Sequence, residues 1–82
     1  MDYVLTDHAR SMIEKRGIKT AWVKKTLSHP ERVEGDRFDD ELEHRLARIE
    51  DYGNRILRVI INVRINPPAV ITVYFDRRAK IT

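Results

Sequence analysis

The sequence predicts an α+β domain in which two N-terminal helices pack on one face of a three- to four-stranded antiparallel sheet. Three observations carry this. Apolar residues recur at helical spacing over residues 6–28, and they alternate at period two from about residue 43 onward. The change of period falls at Pro30, and turn signals stand at Asp51-Tyr52-Gly53-Asn54 and Asn66-Pro67-Pro68. A run of helices followed by a run of strands is the α+β pattern. At 82 residues the chain is one domain, with a helical pair at about 6–28, a sheet at about 32–76 and a basic C-terminal tail at 77–82.

Met1–Leu5 is short and extended. The first helix spans about Thr6–Arg16. Thr6 is its N-cap, Asp7 lies in the first turn, and Lys15 and Arg16 lie in the last, each placed to suit the helix dipole. Gly17 is the left-handed stop. Leu5, Ala9, Met12 and Ile13 make the buried stripe. His8, Met12 and Arg16 form a neighbouring ridge at i, i+4 and i+8. The second helix, Thr20–Ser28, takes Thr20 as its cap, turns Val23 and Leu27 inward and ends before Pro30.

Arg32–Phe38 is a weak strand, and Asp39-Asp40-Glu41 an acidic loop. Glu43–Glu50 places His44, Leu46, Arg48 and Glu50 on one side and Arg45, Ala47 and Ile49 on the other. Ile56–Ile65 is the strongest strand, with Leu57, Val59, Ile61, Val63 and Ile65 facing the core. Ala69–Phe75 closes the sheet, with Ile71, Val73 and Phe75 opposite Val70, Thr72 and Tyr74. The face away from the helices then carries Arg58, Arg64, Thr72 and Tyr74, with Arg45 or Arg48 beside them.

Composition excludes several classes. No cysteine is present, so disulfide and thiolate chemistry are absent. No apolar run approaches the roughly 18–20 residues of a membrane span, and no basic-then-apolar leader opens the chain. A cytoplasmic protein without membrane partners is expected. With 7% aromatic residues, a binding platform of many exposed rings is not expected. Charge runs +3 over residues 1–30, −5 over 31–54 and +5 over 55–82, for a net +3. That order fits either polyanion binding or an internal match between acidic and basic faces. His29 at the end of the second helix and His44 in an acidic strand have no metal-ligand spacing to a partner.

Thr6, His8, Ala9, Arg16-Gly17-Ile18, Pro30 and the terminal Val73-Tyr74 near arginines form a pattern that resembles domain of unknown function 4258, over nearly the whole chain. That family is similar in outline to the BrnT and RelE toxins. The resemblance implies a RelE/BrnT-like fold, RNA cleavage without a cofactor, RNA as partner (on the ribosome or free) and an antitoxin protein that neutralises it. One position departs: Met12 stands where the pattern has an arginine four residues after the histidine. Such cleavage needs a proton taken from the ribose 2′-OH, charge stabilised on the phosphorane and a proton given to the leaving 5′-oxygen. His8 is the expected acid/base, with Arg16, Arg48 and Arg58 as phosphate ligands and Tyr74 as an orienting or protonating group. Arg64, Arg77 and Arg78 are expected to hold further phosphates. A second class of function remains open, a non-catalytic module that binds protein through the exposed sheet face.

Overall fold

The computed structural model describes residues 2–81. The elements run β1 (Val4–Leu5), α1 (Asp7–Arg16), α2 (Thr20–Ser28), β2 (Arg32–Gly35), β3 (Leu42–Ile49), a 3₁₀ turn at Glu50–Tyr52, β4 (Arg55–Asn62) and β5 (Ala69–Phe75). The fold is α+β, with two helices and one five-stranded sheet in the order β1-β5-β4-β3-β2. The sheet is mixed, which extends the antiparallel expectation. β1 pairs in parallel with β5, whereas the other four strands form an antiparallel meander. The extended conformation expected up to Leu5 holds at Val4–Leu5, but a two-residue strand carries no periodic signal to mark its parallel pairing.

Thr6 joins the helical layer to the sheet. Its hydroxyl oxygen accepts from the Ala9 amide at 3.1 Å, capping α1, and donates to the Ile71 carbonyl at 3.2 Å. Ile71 is the residue skipped where the β4–β5 register shifts, since Ile60 pairs with Thr72 but Ile61 pairs with Val70. This bulge reverses the alternation of β5. Val70 and Val73 therefore both face the core, in place of the single Ile71-Val73-Phe75 face expected from strict period two. Gly17, at φ 63°, ends α1 as expected. For α2 the cap is Lys19 and no side chain caps the helix, so Thr20 is its first residue and not its cap. Leu5 belongs to β1 and not to α1, but it still packs against the core.

The core joins Ala9, Ile13 and Ile18 with Val23 and Leu27 of α2, and these rest on Ile49, Leu57, Val59, Ile61, Val70 and Val73. β4 ends at Asn62, so Val63 is only partly buried and Ile65 is exposed. The 32–38 segment joins the sheet only through Gly35, and Phe38 stands in the following loop, 91% exposed. Gly53 and Asn54, at φ 64° and 58°, close the β3–β4 connection in left-handed conformations that glycine and asparagine tolerate best. Arg45 points to the helical side. Its Nη1 donates to the Leu27 carbonyl at 2.9 Å, satisfying the C-terminal end of α2.

The tail expected to lack pattern is ordered as far as Ile81. Asp76 Oδ1 accepts from the amides of Arg78 and Ala79, turning the chain back. Arg32 Nη1 then donates to the Lys80 carbonyl and Arg48 Nη2 to the Ile81 carbonyl. The tail thus crosses the outer sheet face between β2 and β3, where Leu46 is 1% exposed although it lies outside the core cluster.

Thr6→Ala should cost about 1–2 kcal/mol, because it removes a helix cap and leaves the bulge carbonyl without its donor. Thr20→Ala should cost less than about 0.5 kcal/mol. Urea unfolding of both variants checks this, and equal losses would contradict the assigned caps.

Candidate functional site

Strand register gathers the polar side chains of the outer face. One cross-strand row reads Arg32, Leu46, Arg58, Tyr74 from β2 to β5, and the next reads Glu34, His44, Ile60, Thr72. Asp36 follows Glu34, and Asp76 follows Tyr74, so both carboxylates reach the same patch. Side chains directly opposite or diagonal across strands lie within contact distance.

Arg58 is the centre of the patch. Its Nε donates to Asp76 Oδ2 at 2.9 Å. Its Nη1 donates to Glu34 Oε1 at 2.7 Å and to His44 Nδ1 at 2.8 Å. Nη2 has no hydrogen-bond partner among the described residues. No buried side-chain polar atom among them lacks a partner, so Nη2 faces solvent. Three donors are thus committed to fixing the plane of the guanidinium, and two N–H bonds remain for a ligand.

The tautomer of His44 follows. A guanidinium can only donate, so Nδ1 must accept and Nε2 carries the hydrogen. That hydrogen is directed at Asp36 Oδ1, 2.7 Å away. Asp36 also accepts at Oδ2 from the amides of Phe38 and Asp39. The result is a continuous chain of hydrogen bonds, Asp36–His44–Arg58, ending in Glu34 and Asp76.

The charges respond to this arrangement. The hydrogen bond from Arg58 holds the Glu34 carboxyl below its usual range, although burial opposes this. The hydrogen bond to His44, then the Phe38 amide, lowers Asp36. Burial raises Asp76, but the Arg78 amide and the Arg58 guanidinium outweigh it, and the net direction is down. Burial works against the charge on Arg58, but Glu34 and Asp76 overcome it and raise its pKa.

A cleft of about 350 Å³ opens over Arg58, between Arg32, Arg78 and Lys80 on the cationic side and Glu34 and Asp76 on the anionic side. Four cations against two carboxylates leave it net positive. No group of three His, Cys, Asp or Glu side chains able to hold a metal ion is found among the described residues.

Of the residues expected from sequence, the structure brings together Arg58, Tyr74 and Arg78. Arg48 lies at the margin, with Nη2 on the tail and its amide donating to Glu31 Oε2. Arg77 lines a second cleft across the Asp76 turn. Arg64 is exposed beyond the end of β4. His8 and Arg16 are exposed on α1, in the helical layer, on the other side of the sheet from Arg58. The expected pairing of His8 with Arg58 is therefore not brought together. His44 takes that place, and sequence reasoning set it aside as an isolated histidine. The signal lies in the register set by the five-residue connection 50–54, because Ile49 opposite Arg55 places Leu46 opposite Arg58 and His44 one diagonal away.

The family model for domain of unknown function DUF4258 matches residues 5–75. The chain belongs to the DUF4258 family. The match takes in both helices, β2 to β5 and the second residue of β1, and so contains Glu34, Asp36, His44, Arg58 and Tyr74 but ends one residue before Asp76. No curated protein and no solved structure matches the chain.

Depressed carboxylates stabilise the fold above their unfolded pKa values and lose that contribution as pH falls through the folded ones. The contribution of Glu34, Asp36 and Asp76 should therefore be complete above about pH 4–4.5 and decline below it. A Glu34→Gln/Asp76→Asn variant should be less stable than the parent at pH 7, with the gap narrowing as pH falls below about 4. Denaturant titrations across that range measure the gap, and a gap independent of pH would contradict the ion-pair assignment.

Proposed function

We propose that this DUF4258 protein is a toxin-like, metal-independent endoribonuclease whose site is the outer-face cleft around Arg58. The observation that supports it most is the state of that guanidinium. Three of its N–H bonds are fixed by Asp76, Glu34 and His44, and two are open toward a net positive cleft. A planar pair of donors held in place before the ligand arrives is suited to a phosphate whose charge grows during reaction.

The neighbouring groups supply the proton transfers. The phosphate seats on the open Nη2, and the 2′-OH displaces Nη1 from His44 while the bonds to Asp76 and Glu34 keep the guanidinium in place, which frees Nδ1 as a base. Nδ1 takes the proton of the 2′-OH, and the 2′-oxygen attacks phosphorus. Asp36, on Nε2, stabilises the resulting imidazolium. Tyr74, directly across from Arg58, gives its proton to the departing 5′-oxygen. The products are a 2′,3′-cyclic phosphate and a free 5′-hydroxyl. Arg32, Arg78 and Lys80 hold adjacent phosphates.

An inhibitory antitoxin fits the same reading. β2 is an edge strand beside the cleft, with Val33 half exposed, and Phe38 projects just beyond it. A partner added along that edge would cover Arg32 and Glu34. Purely protein-binding use of the open sheet face has less support, because the protein's own tail crosses that face. Among the described residues no helix is long and apolar enough to cross a membrane, and cytoplasmic action on RNA is part of the proposal.

The test is cleavage of end-labelled RNA in chelator, with and without ribosomes. Wild type should produce cyclic phosphate ends. Arg58→Lys and His44→Ala should lower the rate by about 100-fold or more while remaining folded. Loss in His8→Ala with His44→Ala fully active would move proton transfer to the helical layer. Folded protein that cleaves neither free nor ribosome-bound RNA would overturn the proposal.

A further inference from the structure

A second cleft lies against the first. It measures about 330 Å³ and is lined by Asn54, Arg55, Ile56, Phe75 and Arg77, with Asp76 and Ala79 forming the wall it shares with the Arg58 cleft. The Asp76 turn thus sends Arg77 to one side and Arg78 to the other.

Three features set its chemistry. First, Phe75 lines the cleft and packs in turn against Tyr52 and Trp22, which line neighbouring clefts. Tyr52 and Phe75 lie 4.9 Å apart between centroids at 30°, and Trp22 stands 5.4 Å from Tyr52 and 6.0 Å from Phe75. Second, the Arg55 guanidinium sits 5.0 Å from the Tyr52 ring, and neither Arg55 nor Arg77 makes an ion pair among the described residues. Arg32, Arg45 and Arg58 do. Third, Asn54 brings an amide, with both a donor and an acceptor, to the rim from a left-handed turn position.

Flat apolar surface, unpaired guanidinium groups and a bifunctional amide form the combination that takes an unstacked base and its phosphate. We infer that this cleft is a nucleobase subsite for single-stranded RNA, holding the base of a nucleotide next to the phosphate on Arg58. The inference rests on the ribonuclease reading of the adjoining cleft. It adds that the substrate must be unpaired there, since a base inside a duplex cannot enter. The base packs against Phe75 and Ile56, with Asn54 on its polar edge and Arg55 and Arg77 on the backbone to either side.

Trp22 is the single tryptophan and touches both Tyr52 and Phe75, so it reports occupancy. The full-length protein is titrated with a fluorescent 2′-O-methyl hexanucleotide, which cannot be cleaved, and with the same strand lacking one base at its centre. The expected result is a change in Trp22 emission on binding and a roughly 10-fold weaker affinity by anisotropy for the strand with the missing base. Arg55→Gln/Arg77→Gln should weaken the intact strand by a similar factor, whereas Arg10→Gln/Lys15→Gln, with the same charge change on exposed α1, should not. Arg58→Lys should retain the Trp22 response even where cleavage of ordinary RNA is lost. If RNA is cleaved but the two strands bind alike with no change in emission, the subsite is overturned and the ribonuclease reading stands. If the hexanucleotide does not bind and RNA is not cleaved, both fall.

Discussion

The contact on which the outer half of this structure depends is the one guanidinium shared by two carboxylates and a histidine. Arg58 comes from the central part of β4, yet it binds Glu34 from an edge strand, His44 from β3 and Asp76 from the end of β5. Its side chain is 13% exposed, so the charge is largely removed from water. A partly buried arginine is tolerable only with such partners, and loss of one leaves the others unmatched. The same bonds determine where the remaining donors point. Structural need and readiness for an anion therefore arise from one set of contacts.

Around that centre the two faces of the sheet divide the work. The helical face holds the apolar core, with Leu57, Val59 and Ile61 fully buried. The outer face holds the charges and is closed in part by the tail over Leu46. Thr6 couples the layers through the bulge at Ile71, which in turn lets both Val70 and Val73 enter the core. The acidic middle and the basic end of the chain meet here. Glu34 and Asp36 of the acidic stretch engage Arg58 and His44, while Arg55, Arg77, Arg78 and Lys80 stay outside any ion pair among the described residues. The charge order thus serves both of the uses it allowed, internal matching and a net positive cleft.

Local signals made most of the fold legible. Thr6, Gly17, Pro30 and the turn at Gly53-Asn54 each act through backbone geometry, which depends on near neighbours in sequence. The pairing of β1, the bulge and the docked tail were not legible, because each is set by a partner far along the chain: Pro68 and Val70 for β1, Thr6 for Ile71, Arg32 and Arg48 for the tail. The site divides the same way. Arg58 and Tyr74 stood out as polar positions on an outward strand face. His8 stood out because helical spacing aligned it with Arg16, and that alignment holds, but it lies on the wrong layer to meet Arg58. His44 had only an acidic sequence around it, and its link to Arg58 exists through strand register.

The central claim is that Arg58 is immobilised through Nε and Nη1 while Nη2 stays open. Side-chain NMR of protein labelled with ¹⁵N-arginine tests it directly. The account predicts separate, slowly exchanging Nη1 and Nη2 signals for Arg58 in the free protein, with Nη2 shifting on addition of the 2′-O-methyl hexanucleotide and Nε held in place. A single averaged Nη signal, like that of an exposed arginine, or an Nη2 signal indifferent to RNA, would contradict it.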